Sequence, residues 1–383
     1  MENNETVCAC ALVKVFGYEP RVALSLVEHL GSAAAFFALP QKERDSLVGP
    51  DGKYAGLLTD ALLESTAAEL DGLERQGCRF LPLAHPAFPE ALKSCGDPPA
   101  GLYYRSDAAP EEIFRRRPAI AIVGTRDMSP YGRECCERLV AALSQAPVKP
   151  VIVSGLAYGI DITAHMAALG RSLSTIAVLP VGIDDVYPAA HRIAAGKIAA
   201  APGSALVTDY PPGTGAAACT FLRRNRIIAA LSDATVLVES RRHGGGLITA
   251  RLASDYGREV FAVPGRLDDL RSEGCNIIIR DRTAEPIVNM AEAGFQLGLG
   301  KYNLRSEAGF AGKLRDLYRG APEARIAELL KVAETIRKRR GITVDEMCEA
   351  LGKPYLQISP LVLTLESDGL IETDLQGRCM VKI

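Results

Sequence analysis

The sequence predicts an α/β protein built on a doubly wound, mostly parallel sheet, with a small helical unit before it and a helix-and-hairpin unit after it. Three observations lead there. First, six short apolar runs recur along the middle of the chain: Ile120–Val123, Val151–Val153, Thr175–Leu179, Ala205–Thr208, Ala234–Val238 and Glu259–Val263. They are continuous rather than alternating, as strands buried on both faces are. Second, helical patterns lie near Asp161–Leu169, Ala189–Ala199, Phe221–Leu231 and Leu247–Tyr256. Strands alternating with helices imply parallel pairing and right-handed crossovers. Third, the first two strands run into Gly124-Thr125-Arg126 and Ser154-Gly155. Small, flexible residues there suit the carboxyl edge of an open sheet, where ligands bind.

At 383 residues the chain is too long for one ordinary domain. The expected division is a helical domain over 1–80, the α/β core over 81–300, a linker over 301–321 and a last domain over 322–383. No run is long and apolar enough to span a bilayer, and Met1–Cys10 does not read as a signal peptide. Ten cysteines without a Cys-x-x-Cys or a zinc spacing predict reduced thiols in the cytoplasm, with no metal. The net charge of −2 is unevenly spread. Residues 1–85 hold 7 Lys/Arg against 12 Asp/Glu, and residues 86–321 hold 28 against 24, so the positive balance lies with the core.

In chain order, Val7–Phe16, Pro20–Leu30 and Leu57–Leu73 carry apolar residues at helical spacing, with turns near Gly17, Gly31 and Gly49-Pro50-Asp51-Gly52. This acidic unit lacks a basic glycine hairpin and suits structural or protein contacts. Seven prolines over 81–118 exclude long helices, and Leu102-Tyr103-Tyr104 reads as an added edge strand. Arg115-Arg116-Arg117 precede the first core strand, either as solvated linker or as phosphate contacts. Ser129-Pro130 gives an N-cap and a proline at the first helical position. Tyr131, Cys135, Leu139 and Leu143 then form one apolar stripe. Residues 284–321 are a glycine-containing connection. Beyond it, Pro322–Arg339, a helix opened by the capping box Thr343–Glu346, and Tyr355–Asp368 precede two short strands around Gln376-Gly377-Arg378. That order is a winged helix. Its third helix bears no basic residue, which favours protein contact over duplex reading.

The core lacks both Gly-x-Gly-x-x-Gly and a Walker A sequence, so neither a nicotinamide nor ATP is expected and no cofactor is assigned. What remains is glycine turns and arginines. Backbone N–H groups freed at Gly124, Gly155 and Gly159 suit an anion. Arg223, Arg224 and Arg226, around Asn225, crowd what reads as a helix start, where the macrodipole disfavours cations. A phosphate would relieve that, and so would carboxylate pairing with Asp209 or Glu239. Gly244-Gly245-Gly246 permit close approach of backbone to a ligand. His165 and His191 read as structural, and Ser154 is not in a nucleophile elbow. With aromatic residues at 6 % and no tryptophan, base stacking is expected to be minor, Tyr158 and Phe221 being the nearest candidates.

Seven stretches together resemble the DNA-processing protein A family (DprA, or Smf): IAIVGTR (120–126), VSGLAYGIDITAH (153–165), TIAVLPVGIDDVYP (175–188), TDYPPGT (208–214), FLRRNRII (221–228), GLITARLASDYGREVFAVPG (246–265) and GCNIII (274–279). The resemblance implies a Rossmann-like core between a sterile-alpha-motif-like helical domain and a winged helix. It implies a non-enzymatic binder of single-stranded DNA that dimerises, protects incoming DNA and loads the RecA recombinase during natural transformation. By position, Arg126, with Thr125, and Arg223, Arg224 and Arg226 match the family's basic pocket. Gly124, Ser154, Gly155 and Gly159 match its loop scaffold. Two departures stand out: Phe221-Leu222 where the family often has Phe-Pro, and Gly244-Gly245-Gly246 where it often has Ser-Gly-Ser. The alternative is a phosphoribohydrolase-like nucleotide hydrolase, but the acid that should follow Gly244–Thr249 is missing. Ile277-Ile278-Ile279 reads either as dimer interface or as core.

Overall fold

The computed structural model describes residues 2–17, 19–114, 118–299, 314, 317–318, 320–339, 341–374 and 377–381. Arg115–Arg117, most of the 301–321 linker and Gln376 of the hairpin turn lie outside the described residues. The chain forms two compact units, Met1–Leu299 and Gly300–Ile383.

The first unit opens with α1 (Glu2–Phe16), α2 (Pro20–Leu30), α3 (Ala33–Phe37), α4 (Gln41–Val48) and α5 (Asp60–Glu74). The short helices α3 and α4 lie outside the expected pattern; α3 is set by the Ser32 hydroxyl, which accepts the Ala35 N–H at 3.0 Å. There follow β1 (Cys78–Pro82), α6 (Glu90–Lys93), β2 (Gly101–Arg105), α7 (Pro110–Ile113), β3 (Ala119–Val123), α8 (Pro130–Gln145), β4 (Val151–Ser154), α9 (Ile160–Leu169) and β5 (Thr175–Val178). The unit continues with α10 (Arg192–Ala200), β6 (Ala205–Thr208), α11 (Ala218–Leu231), β7 (Ala234–Leu237), α12 (Gly245–Asp255), β8 (Glu259–Ala262), α13 (Glu273–Arg280), β9 (Glu285–Pro286) and α14 (Ala293–Gln296).

One nine-stranded sheet runs β1-β2-β6-β5-β4-β3-β7-β8-β9. From β6 to β9 every pairing is parallel, and β1 and β2 are antiparallel. The six expected core strands are therefore all present in one mostly parallel sheet. The Leu102–Tyr104 strand is not the edge, because β1 pairs outside it. Ile120, Ile122 and Ile152 pack under α8 and α9 on one face. Val123, Val151 and Val153 pack under α11 and α12 on the other. The sheet is thus doubly wound, and its order reverses between β3 and β7. Helices α1 to α5 share a core with Tyr103, Ala177 and Leu206 of the sheet. Ile278, on α13, is buried in the core, so at least that isoleucine packs inside the unit.

The second unit has helices Glu323–Lys338, Val344–Leu351 and Tyr355–Ser367, and a three-stranded antiparallel sheet of β10 (Ile342–Thr343), β12 (Arg378–Val381) and β11 (Ile371–Thr373), with β12 central. The Thr343–Glu346 capping box forms in both directions: the Glu346 N–H reaches Thr343 Oγ1, and Glu346 Oε2 accepts the Thr343 N–H at 2.9 Å.

Candidate functional site

At the order reversal, loops from neighbouring strands leave toward opposite faces and a crevice opens at the carboxyl edge. Here it is a cleft of about 550 Å³. The turn after β3 contributes Gly124, Thr125 and Arg126; α11 contributes Phe221, Leu222, Arg224 and Asn225; the turn after β7 contributes Arg241 to Gly246.

The turns are locked backbone to backbone. The Thr125 N–H donates to the Glu239 carbonyl at 2.7 Å, and the Ile160 N–H to the Thr125 carbonyl at 3.2 Å. Gly159 has φ +76°, and a Cβ there would lie 2.2 Å from the Thr125 oxygen. Gly246 packs directly on Gly124, where a Cβ would meet the Gly124 Cα at 2.9 Å. A serine at 246 does not fit this arrangement unless the β3 turn moves, which explains a glycine there. Helix α12 begins at Gly245, and its first N–H groups supply the positive end of the helix to the cleft.

Arg126 is exposed and lies over the Phe221 ring, 4.6 Å from guanidinium to centroid. Tyr187 packs edge-on against the same ring at 5.3 Å. The neighbouring acid, Asp127, pairs with Arg241 at 3.4 Å and Arg271 at 3.3 Å, so Arg126 has no ion pair among the described residues. Arg242 pairs with Glu273 at 3.3 Å. Among the lining residues, Arg126, Arg224, Arg241 and Arg242 face Asp161 and Glu273, and the cleft is positive. Of the two aromatic candidates for stacking, Phe221 lines the cleft, with Tyr187 and a guanidinium beside it.

The other predicted arginines are placed differently. Helix α11 starts at Ala218, with the Thr220 hydroxyl accepting the Ala217 N–H at 3.0 Å, so Arg223 and Arg224 sit in its second turn and Arg226 in its third. The expected crowding of a helix start is therefore absent. Arg224 is buried, and one of its nitrogens donates to the Gly155 carbonyl at 2.6 Å and to the Val178 carbonyl. Gly155 leaves room for that placement: a Cβ there would lie 2.6 Å from the guanidinium and would push it off these carbonyls. Burial lowers the Arg224 pKa to about 10, which leaves it charged at neutrality. Its Nε–H donates to Asn225 Oδ1 at 3.3 Å, which leaves the Asn225 amide nitrogen as that side chain's remaining donor. Arg226 lies outside the cleft lining in a buried ion pair with Asp209, the carboxylate alternative read from the sequence. Arg223 turns toward the Gly17 carbonyl at 3.3 Å. Tyr158 packs on His191 outside the lining, ring centroids 4.8 Å apart.

Ser154 is wholly buried and donates to the Ile122 carbonyl at 2.6 Å, which ties β4 to β3. His165 Nδ1 lies 2.7 Å from Thr175 Oγ1, whose own proton goes to the Ile152 carbonyl. His165 therefore donates from Nδ1 and is held neutral, its pKa pushed down to about 3 by burial and by Arg224. Asp161 is buried in the cleft wall; burial raises its pKa, against the pull of Arg224 and of the Ala157 and Gly155 amides. Glu239 is fully buried under the start of α8, where it accepts the Ser129 N–H at 2.8 Å and the Ser129 hydroxyl. Arg241, Arg242 and His243 line the cleft although sequence reasoning assigned only the adjacent glycines; the basic triplet beside them was the available signal.

Residues 79–296 match the family model of DNA recombination-mediator protein A. A putative DNA processing protein DprA of Mycobacterium tuberculosis is 34% identical over 327 residues, 81% of this chain and 79% of that protein. Among solved structures, DNA processing protein A (DprA) of Streptococcus pneumoniae superposes with a TM-score of 0.62 at 26% identity, covering 76% of this chain and 97% of that one. DNA processing protein A of Helicobacter pylori, described for its single-stranded DNA binding mode, gives a TM-score of 0.50 at 29% identity, covering 57% and 96%.

Proposed function

This chain belongs to the DNA recombination-mediator protein A family, and from that premise we propose that it binds single-stranded DNA in the cleft at the carboxyl edge of its sheet. The observation that carries the reading is the exposed Arg126 guanidinium stacked on Phe221 beside the glycine-rich start of α12. A single strand offers what that arrangement takes: phosphates for the guanidinium and the N–H groups, and unstacked bases for the ring. Duplex DNA keeps its bases stacked inside and offers only the first.

In the same reading the protein acts in the cytoplasm as a homodimer, shields incoming DNA during natural transformation and hands the strand to a RecA recombinase. The second unit is a winged helix used for protein contact: its third helix, Tyr355–Ser367, contains no lysine or arginine. The nucleotide-hydrolase alternative needs a carboxylate free to act. Glu239 is committed to Ser129 and Asp161 to the loop amides, which disfavours it. Filter binding of a labelled oligonucleotide at matched salt is the direct test. Tighter binding of the single strand than of the blunt duplex, with little sequence preference, is expected; equal affinity contradicts the proposal.

A further inference from the structure

We propose that the outer edge of β1 accepts an extended, cationic segment of a partner protein as an added strand. β1 ends the sheet, and among the described residues its only strand partner is β2. The phase of the ladder decides which groups face outward. The Leu83 N–H bonds the Ala100 carbonyl at 2.9 Å, in register with Leu81↔Leu102 and Arg79↔Tyr104. In an antiparallel pair such hydrogen-bonded pairs alternate with pairs whose groups point away. Cys78 and Phe80 therefore turn their N–H and C=O groups, and Pro82 its C=O, to the outside. The Pro82 carbonyl already accepts the His85 N–H at 3.0 Å, so the groups left open are the N–H and C=O of Cys78 and Phe80, for which no partner is found among the described residues.

The edge borders open space although its residues are largely covered: Arg79 is exposed, while Cys78, Phe80, Leu81 and Pro82 are buried. A cleft of about 740 Å³ follows all five residues of β1, walled by Val7 of α1 and by Ala67 and Leu70 of α5. Its rim is acidic. Asp71 and Glu74 line it, are exposed, and enter no ion pair among the described residues. Arg79 is its only lining Lys or Arg.

This combination selects the occupant. Main-chain pairing along an edge is a recurring mode of peptide recognition, with side-chain pockets supplying the specificity. Apolar walls within an acidic rim fit a strand that alternates small apolar and cationic residues. A second copy of this chain fits poorly, because two β1 edges brought together would set one acidic rim against the other, and residues 1–85 carry 12 Asp/Glu against 7 Lys/Arg.

The test uses the full chain and a short blocked peptide of alternating valine and lysine. Binding is read by fluorescence anisotropy, and strand addition by hydrogen exchange of the Phe80 N–H. The expected result is saturable binding that slows Phe80 exchange and is lost with the valine–glutamate counterpart. N-methylating one alternate set of peptide amides should abolish binding, while methylating the other set spares it. Asp71→Lys and Glu74→Lys should each weaken it by roughly two- to five-fold, as loss of an exposed ion pair does. Equal binding of both N-methylated peptides would reduce the contact to charge alone and overturn the proposal. Absence of peptide binding, unchanged Phe80 exchange, or a β1-to-β1 dimer in sedimentation overturns it as well.

Discussion

At the scale of single residues, the arginines of α11 divide by what they touch. Arg226 is an internal brace: its loss leaves the Asp209 carboxylate buried without its cation. Breaking such a pair costs about 3–5 kcal/mol, so Arg226→Ala should lower the melting temperature sharply, and an unchanged melting curve would remove the brace. The sequence offered Asp209 as a partner but gave no means of deciding between carboxylate and phosphate, because only the third dimension brings β6 to α11. His165 makes a second prediction. Its folded pKa lies near 3, below the unfolded value, so the folded state binds fewer protons between the two. The stability it contributes is fully present above about pH 6.5 and is lost as pH falls toward 3, by at most about 1.4 kcal/mol per pH unit. His165→Gln should remove that share of the pH slope. Thermal melts of both proteins across this range check it, and identical slopes would contradict it.

At the scale of elements, the site depends on turns whose glycines admit no side chain. Gly159→Ala places a Cβ against the Thr125 oxygen at a positive φ. Strain of this kind costs on the order of 1–3 kcal/mol. The variant should melt earlier and, by displacing the Thr125–Arg126 turn, bind oligonucleotide more weakly. Normal affinity in a well-folded variant would separate the turn from the site. The six core strands were legible because each is a continuous apolar run buried on both faces. β1 was not, since Cys-Arg-Phe-Leu-Pro is short, ends in proline, and becomes a strand by pairing with β2. The start of α11 was missed because its cap is Thr220 reaching back to Ala217, not a polar residue ahead of the helix. The Arg126–Phe221–Tyr187 grouping joins residues far apart in sequence, and composition alone hid it.

At the scale of the whole molecule, the proposed DNA contact lies in the first unit, and the second is kept for the proposed protein contact. A chain ending at residue 299, where the compact units divide, should keep its affinity for a single strand and the salt dependence of that affinity. A large loss of both would move the DNA contact into the second unit. The central claim is that Arg126 holds a phosphate of a single strand, and a salt titration of Arg126→Ala beside the unaltered chain tests it most directly. A lost phosphate contact lowers the slope of log affinity against log salt by roughly 0.7. Because Arg126 is exposed and carries no ion pair among the described residues, melting should be nearly unchanged, within about 0.5 kcal/mol. Weaker binding for every sequence, a shallower slope and an unaltered melting curve are expected; the same affinity and the same slope in a well-folded Arg126→Ala protein would contradict the phosphate contact.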